Sequence, residues 1–396
     1  METTIVFTIT VVVRKGIKVI HICDKFGVGG SSIHGCSRLF AWWMPRFDRE
    51  RFDVKLYGVK LPDEASRTLE AMGVALDHMG HPKLSPAILG GFLRLIRHER
   101  PDVLHLHGWI AANFGRVAGR MTGVPTIMHE HGVNPRDRNF AHPKSQRLAD
   151  FVLSPLTHTA LAITGAVRDF LVRRRFVNPA KVRIIYNGVP LGDFAPSPPE
   201  EVARERERLG IPAGSLVIGS VGRLDVQKGV EHLIRSAKRV LARFPDARLL
   251  VVGDGPEMQN LVRQAADSGV ARNVIFTGYR TDVPLLQSIM DIQVLASLWE
   301  AASLTIFEAM AMGKAIVSTN VDGLGEILAD GNPALAVPPG DSAALGDAII
   351  RLLDDPDLAR ELGSRAKSLS AKYDVNRTVR ELESLYEEIS APRRKH

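Results

Sequence analysis

Short apolar runs of strand length alternate along this chain with longer segments of helical period, the sequence pattern of parallel sheets covered by helices. In the first half, residues 17–22, 53–59, 102–106, 126–129, 161–164 and 182–186 read as strands. In the second half the candidates are 216–221, 248–252, 273–277, 292–296 and 315–319. Amphipathic stretches lie between them. In 230–243, for example, Val230, Leu233, Ile234, Ala237 and Leu241 recur at the spacing of one helical face. The fold class is therefore α/β.

The alternation is interrupted once, at Ala195, Pro196, Ser197, Pro198 and Pro199, a stretch that continues neither a strand nor a helix. A chain of 396 residues has the length of two to three domains. The break divides it into two Rossmann-like halves, 1–194 and 195–374, followed by a helical segment, 375–396, expected to pack back on the first half. Ligands of open α/β sheets bind beyond the carboxyl ends of the strands, so two such halves facing each other would place a site in the cleft between them.

Two cysteines, Cys23 and Cys36, exclude a disulfide framework and suit a reducing cytoplasm. The net charge of +7 is unevenly divided. Residues 1–195 carry 27 Lys and Arg against 16 Asp and Glu, whereas 196–396 carry 24 against 28. The basic half is expected to face something anionic, or to be a solvated basic surface. Neither half interleaves aromatic and basic residues as a nucleic-acid surface does, so no nucleic acid is expected. The apolar run 5–13 is too short to span a bilayer, and its charges follow rather than precede it, unlike those of a signal peptide. The stretch 40–51, with Trp42, Trp43, Met44 and several arginines, reads either as a membrane-surface helix or as a helix whose tryptophans face the core.

The chemistry concentrates between two expected strands, in Ser297 to Gly313. Glu300 falls in a loop, and 303–312 reads as a helix that carries Glu308 more than a turn inside. The amino end of that helix, at Ser303 and Leu304, would present unpaired N–H groups and the positive end of a dipole to a diphosphate. Carboxylates on either side could accept hydrogen bonds from sugar and ribose hydroxyls. Upstream, Val221 to Gly229 follows a strand and opens a helix. There Arg223 and Lys228 bring two cations to a loop that Gly222 and Gly229 allow to approach a ligand closely. Gly253, Asp254 and Gly255 read as a tight turn.

These residues resemble the retaining family 4 glycosyltransferases of the GT-B fold, whose motif of two glutamates eight residues apart followed by Ala-Met-Ala-x-Gly is reproduced from Glu300 to Gly313. The resemblance covers nearly the whole chain. It implies that Glu308 holds the ribose hydroxyls, Glu300 contacts the transferred sugar, and Arg223 and Lys228 neutralise the leaving nucleoside diphosphate. It also implies that the glycine loop at Gly29 and Gly30 approaches the donor phosphate from the opposite side, and that His107 lies beside the transferred sugar. The sequence departs from the family at Ala301, Ala302 and Ser303, where a glycine and a larger apolar residue are usual.

The implied activity is transfer of a hexose from a UDP-sugar or GDP-mannose type donor, with retention, to a glycan or lipid-linked acceptor in cell-envelope or exopolysaccharide synthesis. No metal or other cofactor is implied. The enzyme would be cytoplasmic, with an anionic membrane surface as a partner of its basic half. Two other readings stand beside it. His105 with His107 and His129 with His131 form two His-x-His pairs at strand ends that, with Glu130 or Asp102, could make a metal-dependent hydrolase. Alternatively, a non-catalytic GT-B subunit could bind a nucleotide sugar without transferring it.

Overall fold

The structure is a computed structural model and describes residues 16–27, 35–132 and 144–391. The expected strands assemble into two parallel sheets. The first contains β1 (Ile17–Cys23), β2 (Phe52–Gly58), β3 (Leu76–His78), β4 (Val103–His107), β5 (Thr126–Glu130), β6 (Thr159–Ala162) and β7 (Val182–Ile184), in the order β3-β2-β1-β4-β5-β6-β7. The second contains β8 (Val217–Val221), β9 (Arg248–Val252), β10 (Val274–Phe276), β11 (Ile292–Leu295), β12 (Ala315–Thr319) and β13 (Leu335–Val337), in the order β10-β9-β8-β11-β12-β13.

In each sheet the strand order reverses once, between β1 and β4 and between β8 and β11. Loops leaving the carboxyl ends of strands at such a reversal turn to opposite faces and leave a crevice between them. The residues of interest lie there: His107 ends β4, Gly222 follows β8, and Ser297 and Glu300 follow β11.

Local chemistry accounts for the differences from the sequence reading. β6 ends before residues 163–164 because Thr164 leaves the ladder to cap the helix Gly165–Arg174, its Oγ1 accepting from the Val167 N–H at 3.3 Å. β3 and β13 are edge strands of three residues each, too short to show a period. The stretch 40–51 is not one helix. The helix Gly35–Trp43 gives way to a 3₁₀ turn at Met44–Arg46, where Pro45 offers no N–H to continue it. Phe40, Trp42, Trp43 and Met44 are buried, so the core-facing reading holds and no membrane-facing tryptophan pair exists.

The two halves share one hydrophobic core. Leu39, Phe40, Phe47 and Phe52 of the first pack in the same cluster as Leu304, Ile306 and Phe307 of the second and Val379, Leu382 and Tyr386 of the last helix. That helix, Val375–Ser390, crosses back to lie on β1 and β4. It is held there by Glu383, which accepts from the Asp48 N–H at 2.8 Å, and by Glu388, which pairs with Arg183 at 2.9 Å. Nearer the cleft, Glu326 accepts from the Gly165 N–H at 2.7 Å and from the Tyr186 hydroxyl, tying the halves a second time. Among the described residues no helix is long and apolar enough to cross a membrane.

Candidate active site

The loop after β8 runs from Gly222 to Gly229. Asp225 caps its 3₁₀ turn, Val226–Lys228, by accepting from the Lys228 N–H. Gly229 then turns the chain in the left-handed region at φ +59°, with the space for its Cβ filled by the Ala296 carbonyl at 2.2 Å. Only glycine meets both conditions. Gly253 and Gly255 have the packing role the sequence suggested. A Cβ on Gly253 would lie 1.9 Å from the Gly222 carbonyl, and one on Gly255 would lie 2.2 Å from the Leu224 carbonyl. The β9 turn thus props the cation-bearing loop from beneath.

Opposite that loop, β11 leads through Ser297 to Glu300 and then into the helix Leu304–Ala311. A pocket of about 270 Å³ opens between the two segments, lined by Gly222, Arg223, Lys228, Ser297, Ser303 and Thr305. The structure therefore brings Arg223, Lys228 and the amino end of the 304–311 helix to one hollow. Lys228 Nζ lies 2.9 Å from Glu300 Oε2, and the Gln227 amide lies 3.2 Å from the same oxygen. The sequence reading named Lys228 and Glu300 separately and missed both their pairing and Gln227. No motif signals a contact between residues 72 and 73 positions apart.

Glu308 is fully buried, and neither carboxylate oxygen has a properly aligned hydrogen bond. Its one close charge is Arg38 of the first half, whose Nη1 lies 2.8 Å from Oε1. The short distance with poor alignment is an electrostatic contact that leaves lone pairs for other donors. A buried carboxylate in that condition is costly unless a ligand completes it. Arg38 also lies over the Trp42 ring, 4.7 Å from its centroid. Its role was missed because an arginine in a helix has no distinguishing pattern.

On the first half, Gly29 and Gly30 lie outside the described residues. His107 is buried, and both its ring nitrogens are engaged: Nε2 lies 3.0 Å from His21 Nδ1, and Nδ1 lies 2.9 Å from His131 Nε2. His131, following β5, is the half-buried member of the set. His105 is a core residue, its Nδ1 2.7 Å from the Tyr386 hydroxyl and its Nε2 3.0 Å from His129 Nδ1. Burial first, and the neighbouring imidazoles second, hold His105 and His107 well below the ordinary histidine range.

Two groups, His21, His105 and His107, and His107, His129 and His131, have nitrogens close enough together to share a cation. The hydrolase reading is nevertheless not favoured, because these nitrogens bond one another. The acids suggested to assist are also committed elsewhere. Glu130 pairs with Arg175 at 2.8 Å, and Asp102 accepts from the Lys18 N–H at 2.7 Å.

Comparison with known proteins agrees with this geometry. The sequence model described as Glycosyltransferase Family 4 matches residues 39–193, and that described as Glycosyl transferases group 1 matches residues 201–369. A D-inositol 3-phosphate glycosyltransferase of Acidothermus cellulolyticus is 30% identical over 318 residues, 74% of this chain and 68% of that protein. The chain belongs to the family 4 glycosyltransferases. Another relative, the Escherichia coli UDP-Gal:alpha-D-GlcNAc-diphosphoundecaprenol alpha-1,3-galactosyltransferase, is 26% identical over 74% of this chain and 77% of its own length. Among solved structures, Anabaena Alr3699/HepE in complex with UDP and glucose superposes with a TM-score of 0.78 at 20% identity, covering 94% of this chain and 99% of that one. That likeness shows the GT-B fold, which this glycosyltransferase shares. The family matches meet near residues 193–201, at the proline-rich break.

Proposed function

We propose that this glycosyltransferase moves a hexose from a nucleotide-sugar donor, of the UDP-sugar or GDP-mannose type, to a glycan or lipid-linked acceptor with retention of configuration. The observation that carries the reading is the pocket itself. Two cations and a helix amino end converge on one hollow, and a buried carboxylate with unfilled hydrogen-bonding capacity stands beyond it at Glu308. A diphosphate would take the first set, with Arg223, Lys228 and the N–H groups at Ser303 and Leu304 as donors. Ribose hydroxyls would take Glu308, displacing Arg38. Glu300 holds Lys228 in place and is on hand for hydroxyls of the transferred sugar.

In this reading the bond from the anomeric carbon to the diphosphate oxygen breaks, and the acceptor oxygen bonds to the same face of that carbon. The acceptor's hydroxyl proton passes to the departing diphosphate. Stabilising that departing charge is the main catalytic demand, and the fixed cations and helix end meet it without a metal. His131 would meet the sugar or acceptor directly, with His107 behind it.

A lipid-linked acceptor is supported by the excess positive charge of the first half and by the undecaprenol-linked substrate in the name of the E. coli relative. It would place the enzyme on the inner face of the plasma membrane, in envelope or exopolysaccharide synthesis. Calorimetry with UDP, GDP and ADP tests the donor site, and NMR of the product's anomeric proton tests retention. Failure of all three nucleotides to bind overturns the reading. Tight binding without transfer to any acceptor would favour a non-catalytic subunit instead.

A further inference from the structure

Beneath the cleft, five imidazoles and one phenol form a single unbranched chain of hydrogen bonds. Its order is His129, His105, Tyr386, His21, His107, His131. The successive contacts are 3.0, 2.7, 3.0, 3.0 and 2.9 Å. The three imidazole–imidazole links are nearly coplanar, at 15°, 12° and 21°, with centroids 5.1 to 5.2 Å apart. Rings bonded edge to edge through one N–H···N have that geometry.

The chain has a property its members lack separately. A neutral imidazole donates from one nitrogen and accepts at the other, and a phenol hydroxyl has one proton to donate. Tyr386 therefore donates either to His21 or to His105, and each choice fixes every bond beyond it. Donation to His21 makes His21 donate from Nδ1 to His107, and His107 from Nδ1 to His131. On the other side, His105 then donates from Nδ1 to the phenol, and His129 from Nδ1 to His105. All five rings become Nδ1–H tautomers. Donation to His105 reverses every bond, and all five become Nε2–H tautomers. Mixed sets break the chain.

His129 selects between the two. Its Nε2 is buried and has no hydrogen-bond partner among the described residues, and the Trp43 ring lies parallel to the imidazole at 5.9 Å. In the Nε2–H sense that site holds an orphaned buried donor. In the Nδ1–H sense it holds only a bare lone pair, and orphaned N–H groups are the rarer kind. Burial keeps the rings neutral, as the chain requires, and keeps the Tyr386 phenol protonated.

We propose that Tyr386 is a positioning residue of the transferase site, which acts through His21 and His107 to lock all five histidines in the Nδ1–H tautomer, so that His131 presents a donor rather than an acceptor at the cleft. The locking stands on the hydrogen-bond geometry alone; its effect on turnover rests on the function proposed above. Because the chain is sealed at His129, it holds a proton arrangement in place and does not conduct protons through the domain.

Long-range ¹H–¹⁵N correlation spectra of the histidine-labelled, full-length enzyme at neutral pH read each tautomer directly. Five Nδ1–H rings are expected, the form an isolated histidine disfavours in water. An Nε2–H ring or a mixture at any of the five overturns the proposal, as does a stoichiometric metal in the purified protein. Tyr386→Phe separates the two arms of the chain. His107 and His131 are expected to become mixtures, kcat to fall about tenfold, and the donor KM to stay within about twofold. Unchanged tautomers, or an unchanged kcat, in this variant overturn the positioning role. UDP affinity measured alongside distinguishes the failures. A wild-type enzyme that neither binds UDP nor transfers sugar refutes the proposed function, while the spectra still decide the tautomeric lock.

Discussion

Glu308 is the residue at which the two halves compete with the ligand. It is fully buried, faces Arg38 across the cleft, and retains unfilled hydrogen-bonding capacity. Glu308→Gln keeps the shape and removes the charge. Hydrogen bonds to charged groups contribute about 1.5–3 kcal/mol each, so UDP affinity measured by calorimetry should fall roughly 10- to 100-fold. Arg38→Met leaves the carboxylate buried beside an apolar side chain. The unliganded protein should melt at a lower temperature, and UDP should raise its Tm by more than it does for the wild type, because the ribose then replaces a missing partner rather than displacing a present one. Equal UDP-induced shifts in the two proteins would show that Arg38 and the nucleotide do not compete. At Lys228 the loss is catalytic as well as structural. Lys228→Ala removes a diphosphate partner and strips Glu300 of its cation, and kcat should fall at least about a hundredfold.

At the scale of elements, β1, β4 and β5 each contribute histidines to the same buried layer. His21 is pulled down to about 3 by burial, with the His131 charge adding to the effect, and His105, His107 and His129 are also well below their ordinary value of 6.5. Below that value the unfolded chain binds protons that the folded one refuses. The stability these rings contribute is therefore complete above about pH 6.5 and is lost as the pH falls toward their folded values. Each ring adds a slope of about 1.4 kcal/mol per pH unit in that window. Chemical denaturation at pH 7, 6 and 5 should show a loss beginning well above the carboxylate range. A flat profile there would mean that the rings are charged in the native state. The turn after β9 gives a second test. Gly253→Ala places a methyl group against the Gly222 carbonyl and should cost about 1–3 kcal/mol while displacing the loop that carries Arg223. Loss of UDP affinity together with Tm would show that the turn supports the site.

Across the whole molecule, two ties hold the halves together, the last helix and Glu326. Glu326→Ala leaves the Gly165 N–H and the Tyr186 hydroxyl without their carboxylate, a loss of about 1–3 kcal/mol that falls on the juncture rather than on either core. Solution scattering should show a larger radius of gyration for this variant, with UDP restoring part of the difference. The architecture was legible in the sequence because long apolar strands are set by local pattern. β9 and β12 fall at the residues expected, 248–252 and 315–319. The donor motif was legible because Gly229 and the helix after Ser303 are local requirements. Contacts between distant segments left no such trace. Arg38 with Glu308, Gln227 with Glu300 and Tyr386 with His105 are each an ordinary residue until the fold places its partner beside it. The last of these bears on biosynthesis. His105 waits 281 residues for its phenol, roughly 15–55 s of translation at about 5–20 residues per second. Throughout that interval the first domain leaves the ribosome with its imidazole chain cut in two and the face that Tyr386 will cover still open, so a ribosome stalled before the final helix would display an unfinished domain to the cell's chaperones and proteases.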